Sequence, residues 1–354
     1  VSSAQVLSAL LVGPLISHAG PRAPYIVALP LVAALLVIPV GNWLHESRLR
    51  HEDDQGARWA PVRSNPVLFG LGALLLPLLL VLAFGSVLQL HAHTLTILAA
   101  VAGMVIVGGY LLLIRPEISG PMVFYLIVRC ASLQTSGALF YFLTDSSTAF
   151  PEGPNFSPFF YATCITAVAI SGRLIGFLTA KDLFDGWHYR HVLGLTVPLV
   201  ALTQLLLVPM LLRWNVAAGV PDALWVLVWT FVDMVARGWR QFPISVLMLQ
   251  STPTGLEAST LALNTGAVNF GTTLSFFFGS FALHCFQVGP MGHASESLAF
   301  ASLWKVQALA ALLPLVALPL MPLCVPRGKP IERLIVDHPG SATHGSLLMR
   351  CCGV

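Results

Sequence analysis

The side chains in this 354-residue sequence that are able to do chemistry stand out because their neighbours are almost all apolar. Arg129 lies near the middle of the apolar run Pro121–Leu143. Helical spacing places it on a stripe with Ser132, Ser136 and Phe140, beside a second stripe of Gln134, Ala138 and Tyr141. Asp233 and Arg237 are spaced for an intrahelical ion pair, and Arg240 follows on the same face. A further run, Leu256–Phe286, opens beside Glu257 and holds Asn264, Thr265, Asn269, Thr272 and Thr273. Amides and hydroxyls are costly in hydrocarbon, so these groups are expected to face other helices or a wet cavity. The chemistry open to such a set is recognition and charge movement. An arginine grips a carboxylate at two points, and a buried carboxylate carries a proton or accepts a hydrogen bond from a ligand.

Each group also has a plainer reading. Arg129 either lines a cavity or pairs with an acid on a neighbouring helix. Asp233 is either a proton carrier and ligand partner or the counter-charge of Arg237. Arg237, Arg240 and Glu257 read as a structural charge cluster at the cytoplasmic end of a helix. The aromatic residues around Tyr141 and Tyr161 suit packing and the membrane interface, with a minority available to stack on a flat ligand. Enzyme chemistry has no support: there is no nucleophile–base spacing, no phosphate-binding loop and no metal motif. His91-Ala92-His93 lacks a nearby carboxylate or thiol and reads as a wet loop, so neither a metal nor a cofactor is expected.

The elements that position these residues are set by composition. The chain is 56% hydrophobic and 9% charged, with a mean hydropathy of +0.81, whereas a soluble domain is about a quarter charged. The class is therefore an all-α polytopic membrane protein whose partner is the lipid bilayer, with no nucleic-acid signal and no signal for an oligomeric state. About ten apolar segments are long enough to cross a bilayer at roughly twenty residues each. They begin with Val1–Ser17 and Pro24–Leu44 and end with Pro221–Ala236, Leu256–Phe286 and Phe300–Val325. Basic residues gather in alternate connections, among them Arg48, Arg58, Arg115, Arg190, Arg240 and Arg327. The positive-inside rule puts these connections and the tail in the cytoplasm.

The segment around Glu257 also resembles a known family. Pro253-Thr254-Gly255-Leu256-Glu257-Ala258, followed by Ala262-Leu263 and Asn269-Phe270-Gly271, is similar to a motif of folate–biopterin transporters, members of the major facilitator superfamily. Arg115-Pro116-Glu117-Ile118, Phe140 to Asp145, Phe150-Pro151-Glu152-Gly153-Pro154, Trp187-His188-Tyr189-Arg190 and Gly219-Val220-Pro221-Asp222 resemble its trypanosomatid members. Thr252 and Thr254 stand where many relatives have cysteine and a basic residue, and Arg129 replaces an uncharged polar residue. These departures leave substrate choice open.

The resemblance implies a major facilitator-type bundle divided as follows: 1–44 are the last two helices of an N-terminal bundle, 45–65 a cytoplasmic loop and 66–114 an additional helix pair. Residues 115–325 form a C-terminal six-helix bundle and 326–354 a cytoplasmic tail. It implies uptake of a pteridine by alternating access, at the plasma membrane, with about four leading spans expected before Val1. A pterin is flat with a donor–acceptor edge, and folate adds two carboxylates. Arg129, Gln134, Tyr141, Asp233, Asn264 and Asn269 are thus the expected substrate-binding residues. The alternatives are a transport-inactive remnant, or a carrier of another organic solute such as S-adenosylmethionine.

Overall fold

The computed structural model describes residues 22–41, 65–253, 256–290 and 297–329, with isolated positions between 12 and 20 and short pieces at 62–63, 292, 342–343 and 346–352. Nearly all of the expected first span, the loop 45–65 and much of the tail lie outside the described residues. Thr254 and Gly255 do as well. The rest is helical, with no strand among the described residues.

The helices are α1 (Ala23–Val40), α2 (Pro66–Val87), α3 (Ala92–Leu113), α4 (Pro116–Ala131) and α5 (Ser136–Thr144). They continue with α6 (Thr166–Leu183), α7 (Tyr189–Leu205), α8 (Asp222–Gln250), α9 (Glu257–Cys285) and α10 (Leu303–Leu312). Proline opens α2 and α4, where a missing N–H costs nothing. Asp222 sits in the first turn of α8, where a negative charge suits the helix dipole. Among the described residues, seven helical spans are long and apolar enough to cross a bilayer. Helix α8 has the length but carries Asp222, Asp233, Arg237 and Arg240.

The outer coat is apolar: Leu76, Phe84, Val87, Met104, Leu178 and Val228 are all more than half exposed. In water such a surface would aggregate, whereas lipid is its natural solvent. The protein is an all-α polytopic membrane protein, as the composition predicts.

Two elements differ from the expected spans. The run Pro121–Leu143 is not one helix, because α4 ends at Ala131 and α5 begins at Ser136. The stripe expected to align Arg129 with Ser132 and Ser136, and that expected to align Gln134 with Tyr141, therefore do not exist as continuous helix faces. The break survives inside the membrane because its polar groups find partners. Ser132 Oγ donates to Val128 O at 2.7 Å, and Gln134 N donates to Ser275 O of α9 at 3.1 Å. The second difference is α8, which continues through the apolar stretch Phe242–Leu249 to Gln250. Arg237 and Arg240 thus lie within a helix, and Arg240 is not in a connection.

Packing follows small residues. Helix α8 lies along α6, where Gly172, Gly176 and Ala180 are buried. A Cβ on Gly176 would stand 2.3 Å from Val235 O, and one on Gly238 would stand 2.8 Å from Arg173 O. Only glycine lets the two backbones come this close. Helix α9 is flanked by α2, α3 and α4. One apolar core joins these four helices with residues of α7 and α8 and draws on α4 up to Val128, while a second takes over at Leu133 and joins α5, α8, α9 and α10 with Leu207, Met210 and Leu211 beyond α7. The change of core coincides with the helix break.

Candidate functional site

A cavity of about 240 Å³ opens beside the break. Its wall runs through Ser132, Leu133, Gln134, Thr135 and Ser136, then takes Gln204 from α7, Trp229, Asp233, Arg237 and Arg240 from α8, and Gln307 from α10. Pro314 closes it from the 3₁₀-helical stretch Leu313–Leu320 that continues α10. Discontinuous helices at mid-membrane are where transporters place their ligand sites, since unwound backbone is tolerated only against protein or a wet cavity.

Hydrogen bonds tie this wall together across elements. Thr135 Oγ1 donates to Gln307 Oε1 at 3.1 Å, and Gln307 Nε2 donates to Gln204 Oε1 at 3.0 Å. Asp233, 1% exposed, accepts from Thr203 Oγ1 at 2.9 Å through one oxygen. Its other oxygen accepts from Arg237 Nε at 2.7 Å. Trp229 donates its indole N–H to Thr203 O at 2.9 Å, which fixes its ring against the cavity. Arg240, 4% exposed, lines the same space. The i, i+4, i+7 spacing of Asp233, Arg237 and Arg240 puts all three on one face of α8.

Of the residues singled out in the sequence, the fold brings Ser132, Gln134, Ser136, Asp233, Arg237 and Arg240 to this one cavity. Arg129 does not line it: its Nη2 donates to Thr272 Oγ1 of α9 at 2.6 Å, and its charge is near enough to act on Arg240. Asn264 is buried between α3 and α9, where it accepts from the Tyr110 hydroxyl at 3.2 Å. Asn269 and Glu257 are exposed on α9. Tyr141 lines a different space of about 580 Å³ at the end of the bundle, with Gly137, Ser280, His284 and Gln287. There His93, expected in a wet loop but lying in the first turn of α3, meets His284 edge to face at 5.4 Å.

Thr203, Gln204, Trp229 and Gln307 were not singled out. Gln204 and Gln307 carried a usable signal, each being an amide inside an apolar run. Thr203 and Trp229 carried none, since threonine and tryptophan are ordinary in membrane helices.

A multi-pass helical membrane protein with a polar cavity at a broken helix has the build of a solute transporter. The chain belongs to the BT1 family, whose model matches residues 1–343. Curated relatives carry the family's functional name. The chain is 29% identical over 202 residues to probable folate-biopterin transporter 6 of Arabidopsis thaliana, covering 57% of this chain and 38% of that protein. It is 27% identical over 205 residues to probable folate-biopterin transporter 5 of the same plant, covering 57% and 39%. The match thus spans about two fifths of these relatives' own length. No solved structure matches the chain. The family is one of membrane transporters, not of enzymes.

Proposed function

We propose that the protein carries a pteridine, folate or biopterin, across the plasma membrane by alternating access, with the ligand seated in the cavity at the helix break. The observation that carries this is the lining. Trp229 presents an aromatic ring beside the side-chain amide of Gln134 and Nε2 of Gln204, and neither amide group has a hydrogen-bond partner among the described residues. A flat heterocycle with a donor–acceptor edge needs such a surface. The volume is smaller than the roughly 300–1,000 Å³ of a complete small-molecule site, so it accommodates one end of the ligand. Gln134 and Asp233 are the proposed contacts, with Arg129 supporting the wall through Thr272.

The break at 132–135 and the 3₁₀ stretch at 313–320 border the cavity from two sides. Interrupted helices of this kind are where a bundle bends, which suits a site that opens alternately to either side. A cation such as S-adenosylmethionine suits it less, because two arginines and one carboxylate line the space.

The test is binding and uptake of tritiated folate and biopterin by the chain in proteoliposomes. Saturable binding is expected, with Gln134→Leu weakening it about tenfold, the value of one good hydrogen bond. Binding without uptake would mark a transport-inactive remnant. No binding of either compound, or an unaltered affinity in Gln134→Leu, would refute the assignment.

A further inference from the structure

The charge of the cavity does not balance. Its one carboxylate among the described lining residues, Asp233, has both oxygens engaged, by Thr203 and by Arg237. Arg240 lies one turn beyond Arg237, is 4% exposed, and has no hydrogen-bond or ion-pair partner among the described residues. The titratable groups that act on it are Tyr125, Arg237, Arg129 and Asp233. Two of these are further positive charges, and Tyr125 gives its own hydroxyl hydrogen to Gln241 at 2.6 Å. An isolated buried guanidinium is among the costliest groups a protein can hold, so it normally meets a counter-charge. Its neighbours supply less negative charge than positive, and it faces the cavity.

We infer that Arg240 is the anchor for an anionic group of the transported solute, a carboxylate held at two points in this cavity. This rests on the cavity being the pteridine site, and it deepens that assignment by naming the ligand's chemistry: a pterin that bears a carboxylate is preferred over one that does not. The planar guanidinium fork matches a carboxylate. With no partner among the described residues, Arg240 keeps its interaction for the ligand.

The test uses the 354-residue chain in lipid nanodiscs, with wild type compared with Arg240→Gln and Arg240→Lys. Thermal stabilisation is measured as a function of folate, of biopterin, which has no carboxylate, and of p-aminobenzoylglutamate, which has the carboxylates without the pterin. Arg240→Gln is expected to lose about tenfold to hundredfold in folate affinity, with biopterin affinity unchanged. Its ligand-free melting temperature is expected to rise, because an uncompensated buried charge has been removed. Should Arg240→Gln not fold, Arg240→Lys serves: it keeps the charge and loses the fork, so folate affinity falls about tenfold while biopterin is unaffected.

The inference is overturned if Arg240→Gln, or Arg240→Lys where the glutamine variant does not fold, keeps the folate preference. Pteridine binding that persists with that preference intact refutes the anion anchor alone. Capture of p-aminobenzoylglutamate by wild type but not by Arg240→Gln, with no pteridine binding tighter, keeps the anchor and refutes the pteridine site.

Discussion

Asp233 is held from two sides, by Thr203 at 2.9 Å and Arg237 at 2.7 Å, and it is 1% exposed. A carboxylate so placed has two consequences. Removing its charge leaves Arg237 without its partner, which for a fully buried pair costs about 3–5 kcal/mol. Because the Arg237 side chain keeps 27% of its exposure, the cost of Asp233→Asn is expected to be nearer 1–3 kcal/mol, read as a lower melting temperature. The exchange Asp233→Arg with Arg237→Asp should recover part of it. The transport consequence is separate. Asp233 is the acid that lines the cavity, so Asp233→Asn is expected to abolish uptake against a gradient while sparing exchange of labelled for unlabelled ligand. Uptake that stays concentrative and pH-sensitive in that variant would end the proton-carrier role.

At the scale of elements, the cavity is maintained by two close approaches. Gly279 of α9 crosses at the break, where a Cβ would stand 2.2 Å from Gln134 O. Gly238 of α8 meets α6, where a Cβ would stand 2.8 Å from both Arg173 O and Phe177 N. Backbone atoms cannot swing aside as a side chain can, so a larger residue must push whole helices apart. Gly238→Val is expected to cost about 1–3 kcal/mol or more, the usual range for overpacking. Melting in detergent checks this, and a variant as stable as wild type would contradict the α6–α8 contact. The same change should weaken ligand binding, since α8 carries Trp229, Asp233 and Arg240 on its cavity face.

At the scale of the molecule, one end of the bundle brings Arg115 and Arg190 together with the chain near the C-terminus. Arg190 donates to Pro322 O and Val325 O, each at 2.7 Å, and so caps the end of the last span. Arg115 N donates to Ala342 O at 3.0 Å, and Ala342 N donates to Asn65 Oδ1 at 3.1 Å. Residues flanking both the 45–65 loop and the tail therefore meet at the end that carries Arg115 and Arg190. With the positive-inside rule, this end is expected to be cytoplasmic. Tags placed in the 45–65 loop and after Pro326 should both be protected from external protease in intact cells, and cleavage of either would reverse the orientation.

Hydropathy is a local property, so the sequence alone determined that the chain lives in lipid, that it is helical, and that its polar residues are set in apolar runs. Gln134 and Asp233 were legible on that ground, and so, in principle, were Gln204 and Gln307. What local sequence does not contain is which helix face meets which. Only the tertiary structure separated Asn264, taken up by Tyr110, and Tyr141, in another cavity, from Gln134 and Asp233. The break after Ala131 depends on the same long-range packing. The run there is apolar enough for one helix, and it unwinds where the carbonyl of Ser275 and the bare backbone at Gly279, both on α9, accept the strand of chain at Gln134. Arg240 is the clearest case: spacing from Asp233 made it one more member of an ion-pair cluster, and only burial beside an already satisfied carboxylate turned its charge to the cavity.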